Sequence, residues 1–417
     1  MARIALLPFG SAGDVFPFVW LGRQLKARGH DVVLITTGLF EESVSKTGIE
    51  FRALPTHEDF EALIDDPRIW KPLIGTKLVL EAACRAIDPF VTSVEQLIGE
   101  GRRPDLILAP LTALGGRLVR EKHGIPMLTV HLQPAAILSA YETPILMPGM
   151  TLFRKLPVGF KKRFLAATNP VDWFCGRMVA ELCRKHGVTP PKSVMAEWWN
   201  SPDGVLALFP EWFAAPQPDW PTPLLQTDFP LEDLAGELPV TDALKLFLDQ
   251  GAPPVVVTAG SANVHARRFF EVAVMALTRL GMRGVLVTRE LGQVPPNLPE
   301  PICAVAYAPF SELLPRASIF VHHGGIGTLS QGFAAGVPQL VVAMAHDQPD
   351  NAHRLESLGA GLGLPEWWLS VGRMANRLER LAEDRRYRER SKALAERVKP
   401  GSVPKAVFSK IENSINR

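Results

Sequence analysis

The chain is poor in cysteine. Cys84, Cys175, Cys183 and Cys303 form no CxxC pair and no metal-ligand spacing. That usage excludes a disulfide-stapled secreted fold and a zinc ribbon, and it suits reduced core residues of a cytoplasmic protein. Charge of one sign is also lacking. Lys+Arg number 45 and Asp+Glu 43, a formal charge of +2, so nothing drives the whole chain onto nucleic acid or an anionic membrane. No uninterrupted apolar run reaches the ~18 residues of a transmembrane helix. The opening MARIALLPFGSAGD has a single Arg and is broken by Pro8 and Gly10. It is too short for a signal peptide and predicts a first buried strand. No short-period repeat, no GxGxxG dinucleotide fingerprint and no carboxylate cluster suited to Mg²⁺ is found. What is present is ordinary globular composition, 47% hydrophobic and 21% charged over 417 residues. At roughly 100–200 residues per domain, that length predicts two domains.

Short apolar runs alternate with helical patterns in the first third. Strands are expected at 4–9, 31–37, 105–110 and 126–132. A helix is expected over 17–28, with Pro17 in its first turn and Gly29 as its stop. Between 141 and 200 no clean period is visible. The proline-rich stretch 209–223 reads as a linker. The rhythm then restarts, with a strand and loop at 254–261, strands at 284–289, 302–307, 319–321 and 339–344, and helices between them. Continuous apolar strands separated by helices mean parallel sheets covered on both faces. The chain therefore reads as two doubly wound α/β domains in series, and the charged stretch 373–390 as a solvated helix face.

Four segments carry chemistry. The first strand-to-helix turn, FGSAGDVFP (9–17), lies where open α/β sheets bind ligands, and Asp14 there is either a helix-capping carboxylate or a general base. The run VHHGGIGT (321–328) places glycines and a helix start after a strand, a geometry for phosphate with a His donor and the Thr328 hydroxyl beside it. Asp347 and Gln348 end the next strand, where a carboxylate and an amide suit vicinal sugar hydroxyls or, alternatively, cap a helix. Tyr307, in YAPF, would stack on a nucleobase or pack in the core. Ser261, in the AGS turn, is a further candidate for a phosphate contact.

Together these pieces resemble the nucleotide-sugar-dependent glycosyltransferases of the UDP-glycosyltransferase family, with the GT-B fold of two Rossmann-like domains facing across a cleft. HHGGIGT, AAGVP and HDQPDN fall in one gap-free register, from His323 to Asn351. Within the family the run is most similar to bacterial rhamnosyltransferases of rhamnolipid synthesis, through GSAGDVFPF, YAP and AHDQ-DNA-RL. The resemblance implies a diphosphate contact from His323, or from His322 as in some relatives, with Gly325, Gly327 and Thr328 around the phosphates. Gln331 falls where plant members place a ribose-binding Glu, and Asp347-Gln348 fall on the donor-sugar pair. Tyr307 replaces a base-stacking Trp and Phe310 a Gln. Asp14 stands where plant members carry a catalytic His and bacterial antibiotic enzymes an Asp. The carboxylate that orients the plant His has no counterpart in Ala109-Pro110-Leu111-Thr112.

The resulting expectation is an acceptor-binding domain over 1–215 with Asp14, Ser11, Gly13 and Phe16, a donor-binding domain over 216–400, and a helix over 401–417 returning to the first domain. The reaction expected is metal-independent, inverting transfer of rhamnose or glucose from dTDP-rhamnose or UDP-glucose to a lipophilic acceptor, with no resident cofactor and no nucleic acid partner. Flavonoid or other phenolic acceptors are the alternative. A nucleotide-sugar epimerase and a non-catalytic binding protein are the readings from other classes, and donor alone yielding an epimer would identify the former. The basic, aromatic stretch 153–174 suits either an acidic amphiphile or peripheral contact with an anionic membrane; otherwise it is a solvated helix whose aromatics serve the core. The protein is expected to be a monomer or a homodimer.

Overall fold

The computed structural model describes residues 1–55, 62–233, 239–398, 408–409 and 411–412. Two compact units result. One comprises Met1–Pro144 and Pro148–Glu232 with the described C-terminal residues; the other comprises Ile145–Met147 and Asp233–Pro400. The short excursion of the chain into the second unit is held by the Ile145 N–H, which donates to Asp350 Oδ1 at 3.0 Å.

The first unit is built on a seven-stranded sheet in the order β3-β2-β1-β4-β5-β6-β7. Its strands are β1 (Arg3–Leu6), β2 (Asp31–Thr37), β3 (Glu50–Leu54), β4 (Leu106–Pro110), β5 (Met127–His131), β6 (Val205–Ala207) and β7 (Leu224–Gln226). The second unit has six strands in the order β10-β9-β8-β11-β12-β13. These are β8 (Val255–Thr258), β9 (Gly284–Val287), β10 (Ile302–Val305), β11 (Ile319–His322), β12 (Gln339–Ala343) and β13 (Gly361–Pro365). Every pairing is parallel.

Both faces of the central strands are dry, which explains their continuous apolar runs, while the edge strands β3, β7 and β10 are only partly buried. In the second unit Val255, Val257 and Leu286 join one buried cluster while Val256, Val285 and Phe320 join the other. Each sheet starts in its middle, runs to one edge and returns beside its first strand. The points where the order reverses, β1/β4 and β8/β11, are where doubly wound sheets open a crevice at their carboxyl ends.

Several local expectations shift. The first helix runs Ala12–Lys26, so Pro17 lies inside it rather than in its first turn. Ser11 and Asp14 start the helix earlier through a capping box, and the N–H that Pro17 lacks would have served the carbonyl of exposed Gly13. The proline-rich stretch 209–223 connects β6 to its neighbour β7 within the first unit. The span 141–200 contains the helices Met150–Phe153, Val158–Ala167 and Pro170–Lys185. Most of the expected C-terminal helix lies outside the described residues. Of those described, Phe408 and Ile411 are buried, and the Arg28 guanidinium sits 3.6 Å from the Phe408 ring centroid.

Candidate donor and acceptor sites

At the β1/β4 switch of the first unit, Gly10 takes a φ of +139° and Ser11 becomes the N-cap of the Ala12–Lys26 helix. The Ser11 N–H and Oγ both donate to Asp14 Oδ2, at 2.8 and 3.0 Å. A Cβ on Gly10 would fall 2.3 Å from that same oxygen, so only glycine admits the carboxylate here. Burial pushes the Asp14 carboxyl above the usual carboxylate range, while its backbone and side-chain bonds from Ser11 hold it back. The capping role of Asp14 is therefore real, and it engages Oδ2 alone through these bonds. Gly13 is exposed, and Phe16 is half-buried with its ring edge-on to Phe40 at 6.4 Å. Thr112, after β4, donates its hydroxyl to the Phe9 carbonyl at 3.3 Å. The orienting partner of Asp14 is thus Ser11, from its own turn, not a carboxylate on a later strand.

At the β8/β11 switch of the second unit, the two adjacent histidines part company. His322 ends β11 and is fully buried. Its Nδ1 accepts the Gly324 N–H at 3.1 Å, which leaves the proton on Nε2 facing Gln339 Oε1 at 2.9 Å. Its ring stacks on Phe320 at 4.6 Å. Burial, and then the neighbouring His323, lower its pKa to about 3. His322 is a neutral core residue that shapes the glycine loop.

His323 points instead to the loop after β8. Its ring occupies the space where a Cβ of Gly260, at the end of β8, or of Gly325 would lie, at 2.4 Å from Cε1 and 2.5 Å from Nε2 respectively. The buried Nδ1 has no hydrogen-bond partner among the described residues. Burial lowers its pKa to about 4, so the ring is neutral near pH 7. Immediately beyond, the Ile326–Ala335 helix starts at Gly325 with no side-chain cap and no acid in its first turn. Its first N–H groups have no intrahelical acceptor. Gly327 and half-buried Thr328 lie in that turn, and a Cβ at Gly327 would meet nothing within 4 Å. Gln331 is buried farther along the same helix. Ser261, next to Gly260, is exposed on the facing loop.

The remaining expected donor-side residues have structural partners. Asp347 Oδ2 accepts from Asn351 Nδ2 at 2.7 Å, and the same nitrogen donates to the Gly324 carbonyl at 2.9 Å. Gln348 Oε1 accepts the N–H groups of Met344 and Ala345, at 2.8 and 3.1 Å, and closes the loop after β12. Asn351 is thus the clamp between the two motifs, a role legible only once the loop conformation is known. Tyr307 is half-buried after β10, with its hydroxyl donating to the Asp233 carbonyl. Phe310 packs on Phe320 at 5.2 Å in the core. The structure therefore gathers His323, Gly325, Gly327, Thr328, Ser261, Asp347 and Gln348 around one switch point. Tyr307 follows β10 at the sheet edge, and Asp14 belongs to the other unit.

Comparison with known proteins agrees with this architecture. The Glycosyltransferase family 28 N-terminal domain matches residues 4–141, and the Erythromycin biosynthesis protein CIII-like C-terminal domain matches 284–413. The O-mycaminosyltylonolide 6-deoxyallosyltransferase of Streptomyces fradiae is 32% identical over 368 residues, 86% of this chain and 84% of that one. The vancomycin aglycone glucosyltransferase of Amycolatopsis orientalis is 27% identical over 86% of this chain and 85% of its own. The sterol 3-beta-glucosyltransferase UGT80A2 of Arabidopsis thaliana is 26% identical, and the chain spans 57% of it. Among solved structures, the kitacinnamycin glycotransferase superposes with a TM-score of 0.73 at 22% identity, covering 99% of each chain. VinC in complex with DTDP gives 0.69 at 18% identity, covering 100% of each. The chain belongs to the GT-B glycosyltransferases and is a nucleotide-sugar-dependent enzyme. Membership is at the level of that family rather than of the rhamnolipid rhamnosyltransferases.

Proposed function

We propose that the enzyme moves a hexose, rhamnose or glucose, from a dTDP- or UDP-linked donor to a hydroxyl of a lipophilic small molecule, with inversion and without a metal. The observation that carries this reading is the His323 ring, lodged between Gly260 and Gly325 beside an uncapped helix start. In that reading the acceptor hydroxyl gives its proton to Asp14 as its oxygen attacks the anomeric carbon. The bond from that carbon to the diphosphate breaks, and the electron pair leaves with the diphosphate. The growing negative charge falls on the N–H groups at the start of the Ile326–Ala335 helix and on an N–H of the neutral His323 ring. Thr328 and Ser261 add hydroxyl donors. Asp347, anchored by Asn351, faces the sugar. Relatives named for a sterol, a tylonolide and the vancomycin aglycone support a bulky acceptor, and the sterol a lipophilic one.

Calorimetric titration of dTDP and of UDP tests the site and separates the donors. One of the two should bind the wild-type enzyme. His323→Ala should weaken that binding about tenfold or more, as loss of one hydrogen bond to a charged group does. Binding of neither nucleotide, or equal binding by the variant, would refute the assignment.

A further inference from the structure

The helix Val158–Ala167 is amphipathic the wrong way round. It buries a lysine and exposes its phenylalanines. Lys161 is buried, with Nζ donating to the Arg154 carbonyl at 2.9 Å. Phe160 and Phe164 are 53% and 44% exposed. Their rings lie 6.2 Å apart, and Phe153 packs on them at 6.4 and 5.0 Å. Leu152, at 71% exposure, and Leu156, at 40%, flank the Phe153 position in the chain. Phe160 and Phe164 therefore do not serve the core, whereas Phe174 farther along packs against it. Contiguous apolar surface of this kind marks a contact face.

The charge of the same stretch indicates what the contact is. From Met150 to Val171 the chain carries Arg154, Lys155, Lys161, Lys162 and Arg163 and no acid. Arg154 is paired with Glu142 at 3.4 Å, and Lys161 is buried. Lys155, Lys162 and Arg163 stay exposed. A second copy of the chain would fit poorly, because a two-fold contact would set this cationic face against itself. An anionic lipid surface satisfies both features at once, with rings entering the headgroup boundary and cations meeting the phosphates. Among the described residues no helix is long and apolar enough to cross a membrane, so such a contact is interfacial.

We propose that the face of Phe153, Phe160 and Phe164, edged by Lys155, Lys162 and Arg163, docks the enzyme onto an anionic lipid bilayer. The inference does not depend on the identity of the donor or acceptor. Co-sedimentation with vesicles of phosphatidylcholine alone, and of phosphatidylcholine with about one-quarter phosphatidylglycerol, tests it. The wild-type protein should pellet with the anionic vesicles, release at high salt, and stay in solution with the neutral ones. Phe160→Ser/Phe164→Ser and Lys162→Glu/Arg163→Glu should each raise the lipid concentration for half-binding by about tenfold or more. All four positions are exposed, so both variants should melt with the wild type; if one does not fold, the other carries the test. Wild-type protein that binds neither vesicle, or variants that bind as the wild type does, would overturn the proposal. So would variants that change only the sedimenting mass of the protein, which would make the face a self-association surface. Variants that raise only the acceptor KM would overturn it too, by making the face part of the acceptor site.

Discussion

Alanine at two glycines of the proposed donor site should change stability in opposite directions while weakening nucleotide binding at both. At Gly260, φ is +87° and a Cβ would lie 2.4 Å from His323 Cε1 and 2.7 Å from Nε2. Alanine there must hold a strained backbone and push the imidazole back by about 1 Å to reach ordinary contact, at a cost of roughly 1–3 kcal/mol to the fold. In the proposed site the displaced ring would no longer meet the diphosphate. Loss of one hydrogen bond to a charged group, about 1.5–3 kcal/mol, raises Kd by roughly 10- to 150-fold. At Gly327, by contrast, a Cβ meets nothing of the protein within 4 Å. Alanine in that first turn should leave the fold unharmed or strengthen it by up to ~1 kcal/mol. A methyl beside the helix start nevertheless occupies space that a bound phosphate needs. Gly327→Ala should therefore melt no lower than the wild type and yet bind nucleotide at least about tenfold more weakly. Thermal melting and calorimetry with dTDP and UDP read both quantities on the same samples. A Gly327→Ala protein that binds nucleotide normally would show that no phosphate sits at this helix start. A Gly260→Ala protein that melts lower but binds normally would remove His323 from the site.

Asp14→Asn should lower kcat by roughly 10²–10⁴ and leave the Kd for dTDP or UDP unchanged; near-normal turnover would restrict Asp14 to capping its helix. Acid should destabilise the enzyme through its buried histidines: burial lowers His131 to about 4, His322 to about 3 and His323 to about 4. The unfolded chain takes up these protons near pH ~6.5, so stability is flat above that value and falls as pH drops toward 4, by about 1.4 kcal/mol per unit for each fully buried ring. A melting temperature that does not change across this window would show that these rings are accessible to protons in the folded state.

The elements that could be read from the sequence are those whose apolar pattern matches their burial. The strand expected at 31–37 is β2, and the strand expected at 339–344 is β12. The pattern failed where it inverts. Phe160 and Phe164 face solvent while Lys161 is buried, so the helix Val158–Ala167 shows no apolar stripe toward the core. β13 was hidden by its composition, Gly-Leu-Gly-Leu-Pro, which strand propensity disfavours. Glycine is needed there because a Cβ at Gly361 would lie 2.2 Å from the Gln339 carbonyl oxygen of the neighbouring strand. The glycine-rich turn between a strand and a helix was legible, but which of His322 and His323 is buried in the core was not. Consecutive residues at a strand end point to opposite sides, and only the positions of Gln339 and Gly260 show which ring faces the core and which the loop after β8.

The two helix starts also explain why the diphosphate is assigned to the second unit and the base to the first. Each follows the first strand of its half or that strand's switch-point neighbour, and each offers the partial positive charge of a helix N-terminus. In the first unit that charge is already met by the chain. The Asp14 carboxylate lies in the first turn, tied to the N-cap Ser11 through Oδ2. A phosphate brought there would meet a like charge where it needs donors. In the second unit the start is Gly325, with no capping side chain and no acid in the first turn, and the nearby imidazole is neutral with a buried Nδ1 that no described residue satisfies. In the first half burial raises the affinity of the Asp14 carboxyl for a proton, and the bonds from Ser11 oppose that shift. In the other half the helix start carries no such carboxylate, which is what the proposed diphosphate site needs. The proposed mechanism needs a general base and a leaving-group site, and the two helix starts differ in the way that proposal requires: one is capped by a carboxylate and the other is uncapped.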